Sequence, residues 1–188
     1  MTGLDKKVAL TLLFCILLLF VVPPFYIALL NKIISHPGLR FSDKWSDNAF
    51  SDWETSRNSQ VIGGISNEGG SLKVNMEGER VGDEIIAAQK TKDLPANLAS
   101  NDYVRVSIMA SSIDVAARIV IWTDFQHSHE ILAKTYNDSK WHQEIILLSF
   151  FKLSGNVSMI ELSIKQLTAS NATEWILYKD LAFGNLDL

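Results

Sequence analysis

The chain has 188 residues, of which 47% are hydrophobic, and it carries one cysteine and a formal net charge of −4. This length allows one ordinary domain together with an anchor, and the lone Cys15 excludes an intrachain disulfide and a CxxC zinc motif. The part that begins at Phe41 holds 13 of the 17 basic residues but 20 of the 21 acidic ones. A net-acidic domain without a Lys/Arg cluster argues against a nucleic-acid partner, because phosphate neutralisation needs a basic stripe.

The first 34 residues predict a membrane anchor. Residues 1–7 form a short polar head that ends in Lys6 and Lys7, and residues 8–30 contain no charged side chain. That run exceeds the roughly 20 apolar residues that a helix needs to cross a bilayer. It is longer than a signal-peptide core, and no Ala-x-Ala-like site follows it, so an uncleaved anchor helix over 8–34 is favoured over a cleaved signal peptide.

The charges that flank this helix indicate its orientation. Lys6 and Lys7 favour a cytoplasmic amino terminus, although Lys32, Arg40 and Lys44 on the other flank weaken that signal. We therefore predict a single-pass protein of the cell membrane whose C-terminal domain lies outside the cytoplasm.

Beyond the anchor, the periodicity becomes that of strands. Residues 35–46 are predicted to be a linker, because His36-Pro37-Gly38 stops any helix. Residues 47–188 contain short runs rich in β-branched and aromatic residues, separated by polar turns, which is typical of an all-β sandwich. The expected strands are 60–65, 71–76, 84–89, 103–110, 117–124, 131–136, 141–148, 159–165 and 174–183. Residues 124–130 are expected to form a polar loop.

Several motifs resemble, in their order, the carbohydrate-binding modules of the galactose-binding-like jelly-roll fold. In those modules an early Phe-x-x-x-Trp strand precedes a Gly-Ser-Leu-x-Val strand, and the last strand reads Tyr-Ile-Asp-Asp-Ile-x-Phe. The corresponding segments here are 50–53, 68–74, 103–108 and 175–183. The resemblance covers roughly residues 41–186 and implies a jelly-roll β-sandwich. That fold serves glycans, lipid head groups and protein contacts alike.

The resemblance also implies that the domain could bind a structural calcium ion, as many such modules do. Asp180 matches the acidic ligand of the last strand, and Asp52 lies among the acids near the first strands. Lys179 stands where a second Asp is common, and its charge would repel a cation that needs six to eight oxygen ligands. No other cofactor is expected.

Aromatic and histidine side chains are the candidate ligand contacts. The chain has five tryptophans, and glycan sites use exposed aromatic faces to stack on sugar rings. Trp122 and Trp141 adjoin the segment that holds His127 and His129, so these four residues are predicted to contact a ligand. Trp175, which precedes an apolar strand, is expected to be buried.

The histidines have an alternative explanation as metal ligands. His127 and His129 alternate, so their imidazoles share one face if the segment is extended. Together with His142 they offer a set that zinc or copper could use, whereas the plainer interpretation is a polar loop.

No catalytic motif is present. The sequence contains no Gly-x-Ser-x-Gly elbow, P-loop or HExxH motif, and we predict a non-enzyme. Three N-glycosylation sequons, at Asn137, Asn156 and Asn171, fall in predicted turns, where acceptor residues have to lie.

Two functions follow from these features. The first is that of an accessory or structural subunit of a membrane protein complex, with the lipid bilayer and other membrane-protein subunits as partners. The alternative is a membrane-tethered module that binds a glycan or a cell-envelope polymer. The small size and the lack of catalytic motifs favour the first, and the module resemblance and the tryptophans favour the second.

Overall fold

The structure is a computed structural model, and it describes residues 38–43, 45, 52–56, 61–77, 80–91, 94 and 97–185. Apart from Gly38, these residues belong to one compact unit, Leu39–Asn185. Within the described part, no helix is long and apolar enough to cross a membrane. The predicted anchor over 8–34 lies outside the described residues and stays a prediction.

The described residues form eleven strands and two short 3₁₀ helices, at Leu98–Ser100 and Leu148–Phe150. The strands are β1 Gly38–Asp43, β2 Trp53–Ser56, β3 Ile62–Glu68, β4 Ser71–Glu77, β5 Glu84–Lys90, β6 Tyr103–Ala110, β7 Val115–Thr123, β8 His127–Lys134, β9 His142–Leu147, β10 Val157–Gln166 and β11 Thr173–Asn185.

These strands make two sheets. The six-stranded sheet has the order β3-β4-β11-β6-β9, with β1 also paired to β11, and the five-stranded sheet has the order β2-β5-β10-β7-β8. Every pair with a described register is antiparallel. The chain passes repeatedly from one sheet to the other, and the predicted all-β sandwich is confirmed.

The core lies between the sheets and follows from the alternation of side chains along the central strands. In β6, for example, Val104, Val106 and Ile108 are fully buried while Arg105 and Ser107 are only partly covered. Burying one such apolar side chain contributes about 1.5–3 kcal/mol. Alternation therefore fixes which residues of each strand remain for the outer faces.

One polar side chain crosses this core. Tyr178 of β11 is fully buried, and its hydroxyl donates to the backbone oxygen of Ser163 at 2.7 Å. The same hydroxyl lies 3.3 Å from the backbone oxygen of Arg118. Burial raises the pKa of the Tyr178 phenol above its usual value. This hydrogen bond ties the six-stranded sheet to β7 and β10 of the five-stranded sheet.

Most of the predicted strand ends lie within three residues of the observed ones, and two differences are larger. β8 begins at His127, so the prediction of a polar loop over 124–130 is wrong beyond Gln126. In addition, β1 lies inside the predicted linker. β1 forms there because β4 pairs with β11 only over Thr173 to Tyr178. The rest of that edge of β11 is left for β1 to pair with.

Candidate functional site

The outer face of the five-stranded sheet is built by alternation along β7 and β10. In β7, Ile119 and Ile121 are fully buried in the core, so Trp122 and Arg118 point to the opposite side. In β10, Leu162 faces the core in the same way. We call this outer surface the Trp122 face. Its residues on β7, β8 and β10 are Ala116, Arg118, Val120, Trp122, Ser128, Glu130, Met159, Glu161, Ser163 and Lys165.

Strand register sets the neighbours of Trp122. Its Cα partners are Met159 on β10 and Ser128 on β8. Glu161, two residues further along β10, accepts a hydrogen bond from the indole nitrogen of Trp122 at 3.2 Å. The bond fixes the orientation of a half-buried ring whose remaining surface is open.

Arg118 forms a second polar group on the same face. Its guanidinium is paired with the carboxylates of Glu84 on β5 and Glu130 on β8. Guanidinium–carboxylate pairs are planar and often bidentate, so they hold both partners in a defined geometry. A row of oriented donors and acceptors from β5, β7 and β8 therefore spans four strands of the face that carries the indole, because β10 lies between β5 and β7.

Small side chains form the floor between these groups. Ser163 is 1% exposed although it points away from the core, and Val120 and Ala116 are also buried. They lie low because their long neighbours, Arg118 and Glu161, stand higher on the sheet. An aromatic ring beside a few well-placed polar groups over a low floor is the usual composition of a small-molecule site.

Trp141 is on the other side of the sandwich. It precedes β9 of the six-stranded sheet, is 43% exposed, and its ring centroid lies 6.0 Å from Lys179 Nζ. Trp175, expected to be buried, is half-buried on the same outer face, where Lys73 Nζ lies 5.5 Å from its ring. The structure therefore does not bring Trp122 and Trp141 together.

The two histidines of β8 do not join the Trp122 face either. His127 pairs with Thr123 and His129 with Ile121, so the two imidazoles share one strand side, as alternation predicts. That side is opposite to the side of Ser128, which faces Trp122.

His142 lies in the other sheet, on β9. Its Nε2 atom is 2.6 Å from Asp138 Oδ1, and its ring lies 4.8 Å from that of Tyr136. The bond to His142 lowers the pKa of the Asp138 carboxyl. No group of three or more His, Cys, Asp or Glu side chains within the described ranges could hold a metal ion.

The predicted calcium ligands lie in different sheets. Asp52 precedes β2, and its Oδ2 atom is 3.4 Å from Lys90 Nζ. Asp180 lies in the β11 bulge with a φ of 54°. Neither belongs to a described cluster of potential ligands, and bound calcium stays a prediction.

The three sequons are accessible. Asn137, Asn156 and Asn171 are all exposed and lie outside the strands. Glycosylation at these residues stays a prediction.

Sequence reasoning singled out Trp122 but missed its polar neighbours. Arg118 precedes Trp122 by four residues in an alternating strand, so the same pattern places it on the same face. Glu161 and Glu130 could not be found in this way, because they reach Trp122 and Arg118 only through strand register.

Comparison with known proteins reveals a likeness in fold alone. No family model matches the chain, and no curated protein matches it. Among solved structures, a point variant of a family 29 carbohydrate-binding module aligns with a TM-score of 0.51 at 12% identity, covering 78% of this chain and 95% of the module. Variants of that module complexed with cellulohexaose and with mannohexaose have the same score and chain coverage, at 13% and 12% identity, each over 94% of the module.

Proposed function

We propose that the protein is a non-catalytic module that binds a glycan through the Trp122 face. The observation that carries the proposal is the arrangement of one oriented indole, Trp122, beside the Glu84–Arg118–Glu130 row on an outer sheet face. The likeness of the fold to family 29 carbohydrate-binding modules supports it.

The chemistry of the face suits a sugar ring. The apolar side of a pyranose can stack on the half-open indole of Trp122, as flat apolar surfaces do on aromatic rings. Its hydroxyls then lie near the carboxylate of Glu161, which accepts the hydrogen bond from the indole nitrogen, and Glu130 and Arg118 lie further along the same face. Hydrogen bonds to charged groups are about twice as strong as those between neutral ones, and they give orientation as well as affinity.

The charge of the face favours a neutral glycan. On β5, β7, β8 and β10, three carboxylates of this face oppose two cations, and Arg118 is already paired with two of those carboxylates. A polyanionic chain would meet net repulsion here. The carboxylates are Glu84, Glu130 and Glu161, and the cations are Arg118 and Lys165.

A glycan array tests this function with the full-length protein purified in mild detergent. Wild-type protein should give hits among neutral oligosaccharides, and Trp122→Ala should lose them. Trp141→Ala is the matched control, because that indole lies on the outer face of the other sheet. A blank array for the wild type, or hits that survive Trp122→Ala, would contradict the proposal.

The accessory-subunit function is a second proposal, and the outer face of the six-stranded sheet supports it. This face leaves Trp141 and Ile62 in solvent, and apolar side chains of this size are common contacts in protein interfaces. Together with the predicted anchor over 8–34, such contacts would join the protein to membrane partners. Native purification in mild detergent should recover stoichiometric membrane proteins, and a clean monomer would contradict the proposal.

A further inference from the structure

The tip of the β7–β8 hairpin has an uncommon backbone. The turn over residues 123–126 is closed by a hydrogen bond from Gln126 N to Thr123 O at 3.1 Å. Its two central residues, Asp124 and Phe125, have φ values of 51° and 58°, both in the left-handed region. Hairpin turns with two positive φ values strongly favour Asn-Gly or Asp-Gly, so the phenylalanine stands where glycine is expected.

Hydrogen bonds to Asn156 before β10 and to Ser158 at the start of β10 hold this tip in place. Asp124 N donates to Asn156 O at 3.0 Å, and Asn156 N donates to Asp124 Oδ1 at 3.2 Å. Phe125 N donates to Ser158 Oγ at 2.8 Å, and that hydroxyl donates to Trp122 O at 3.2 Å. One serine hydroxyl therefore links the backbones of both aromatic residues.

Gly155 completes this support. Its φ is +85°, and a Cβ there would lie 2.0 Å from Asp124 Oδ2, so the Asp124 carboxylate fills the space that any side chain would need. Several independent contacts therefore hold the backbone of the tip, and a strained backbone persists only where its surroundings hold it in this way.

These contacts hold the hairpin tip in a conformation that exposes the ring of Phe125 to solvent. Phe125 is 67% exposed, so its ring contributes little to the core. It follows Trp122 by three residues, which limits their Cα separation to roughly 10 Å. Strained, solvent-facing residues cluster at ligand sites, and the Trp122 face ends at this tip.

We infer that Phe125 is a second aromatic contact of the Trp122 face and stacks on a sugar unit adjoining the one on Trp122. The inference rests on the proposed glycan binding and narrows it to a ligand class. The site selects chains of at least two neutral sugar units over single sugars, because only a chain reaches both rings.

Calorimetric titration of the full-length protein tests the inference. The probes are cello- and manno-oligosaccharides of one to six units, and the variants are Phe125→Gly and the control Phe150→Ala. Phe150 is 77% exposed and follows β9, in the other sheet. Phe125→Gly should weaken hexasaccharide binding by roughly tenfold, the effect of one stacked ring, and leave single-sugar binding within about twofold. Phe150→Ala should match the wild type.

The choice of glycine keeps the result interpretable. Glycine adopts positive φ without strain, so Phe125→Gly should fold and melt at or above the wild-type temperature. Unchanged hexasaccharide affinity in this variant, together with loss in Trp122→Ala, would overturn the inference and leave the proposed function standing. Equal losses in Phe125→Gly and Phe150→Ala would also overturn it. A wild type that binds no probe would overturn both.

Discussion

Two glycines with nearly the same φ provide a test of the hairpin support. Gly155 has a φ of +85° and Gly82 a φ of +88°. A Cβ on Gly82 would meet nothing within 4 Å, whereas a Cβ on Gly155 would lie 2.0 Å from Asp124 Oδ2 and 2.8 Å from its Cγ. The substitution to alanine therefore imposes the same φ strain at both sites and a steric clash at only one.

The expected magnitudes follow from these contacts. A non-glycine residue in the left-handed region costs about 1–2 kcal/mol, which is the whole effect expected for Gly82→Ala. Gly155→Ala also displaces the Asp124 carboxylate and breaks its bond with Asn156 N, which a charged acceptor makes worth about 1.5–3 kcal/mol. The free energy of unfolding should therefore fall by about 1–2 kcal/mol in Gly82→Ala and by about 2.5–5 kcal/mol in Gly155→Ala.

Urea unfolding followed by tryptophan fluorescence measures both values. A double-mutant cycle with Asp124→Ala isolates the clash, because removing the carboxylate frees the space that the methyl group introduced by Gly155→Ala needs. Asp124→Ala combined with Gly155→Ala should cost less than the sum of the two single changes. Equal destabilisation by Gly155→Ala and Gly82→Ala, or strict additivity in the cycle, would refute the packing of Asp124 against Gly155.

The remaining predictions concern buried tyrosines. Tyr178→Phe leaves the backbone oxygen of Ser163 without its 2.7 Å donor, so urea unfolding should reveal a loss of about 1–3 kcal/mol. Burial raises the pKa of Tyr178, so the folded state keeps a proton that the unfolded chain releases above pH about 10. This contribution is complete below that pH, and above it Tyr178 alone should lower stability by about 1.4 kcal/mol per pH unit, so the slope in Tyr178→Phe should be smaller by that amount. Burial, aided by Glu144, also raises the pKa of Tyr136, so Tyr136→Phe should lessen the same alkaline loss; unchanged slopes in both variants would contradict these shifts.

The strands that sequence periodicity located best are those with one apolar side and one polar side. β6 has the predicted bounds, because its valines and isoleucine alternate with Arg105 and Ser107 in the middle of the strand. The start of β8 escaped detection because residues 127–130 are polar on both sides. At that sheet edge, backbone pairing with β7 holds residues 127–130 in an extended conformation. Such pairing leaves no hydrophobic pattern in the sequence from which the strand could be predicted.

Only part of the candidate site could be predicted from sequence periodicity. Trp122 could be chosen from its place in an alternating strand, but alternation cannot tell which of two sheets a strand joins. Trp141 was therefore grouped with Trp122, although their strands belong to different sheets. Phe125 was not predicted as a site residue. What distinguishes it is the pair of positive φ values at Asp124 and Phe125, and a turn with this backbone cannot be predicted from a sequence that lacks the usual turn glycine.

The two outer faces differ enough in chemistry to serve different partners. The Trp122 face carries paired charges and an indole bonded to Glu161, which suits a hydroxyl-rich ligand. The opposite face carries Trp141 and Trp175, each beside a lysine ammonium, which suits a partner with an apolar and partly anionic surface. Because the faces belong to different sheets, glycan binding and attachment to a complex need not exclude each other. If both occur, Trp122→Ala should abolish only the first and Trp141→Ala should weaken only the second, whereas loss of both by one substitution would mean that a single face serves both partners.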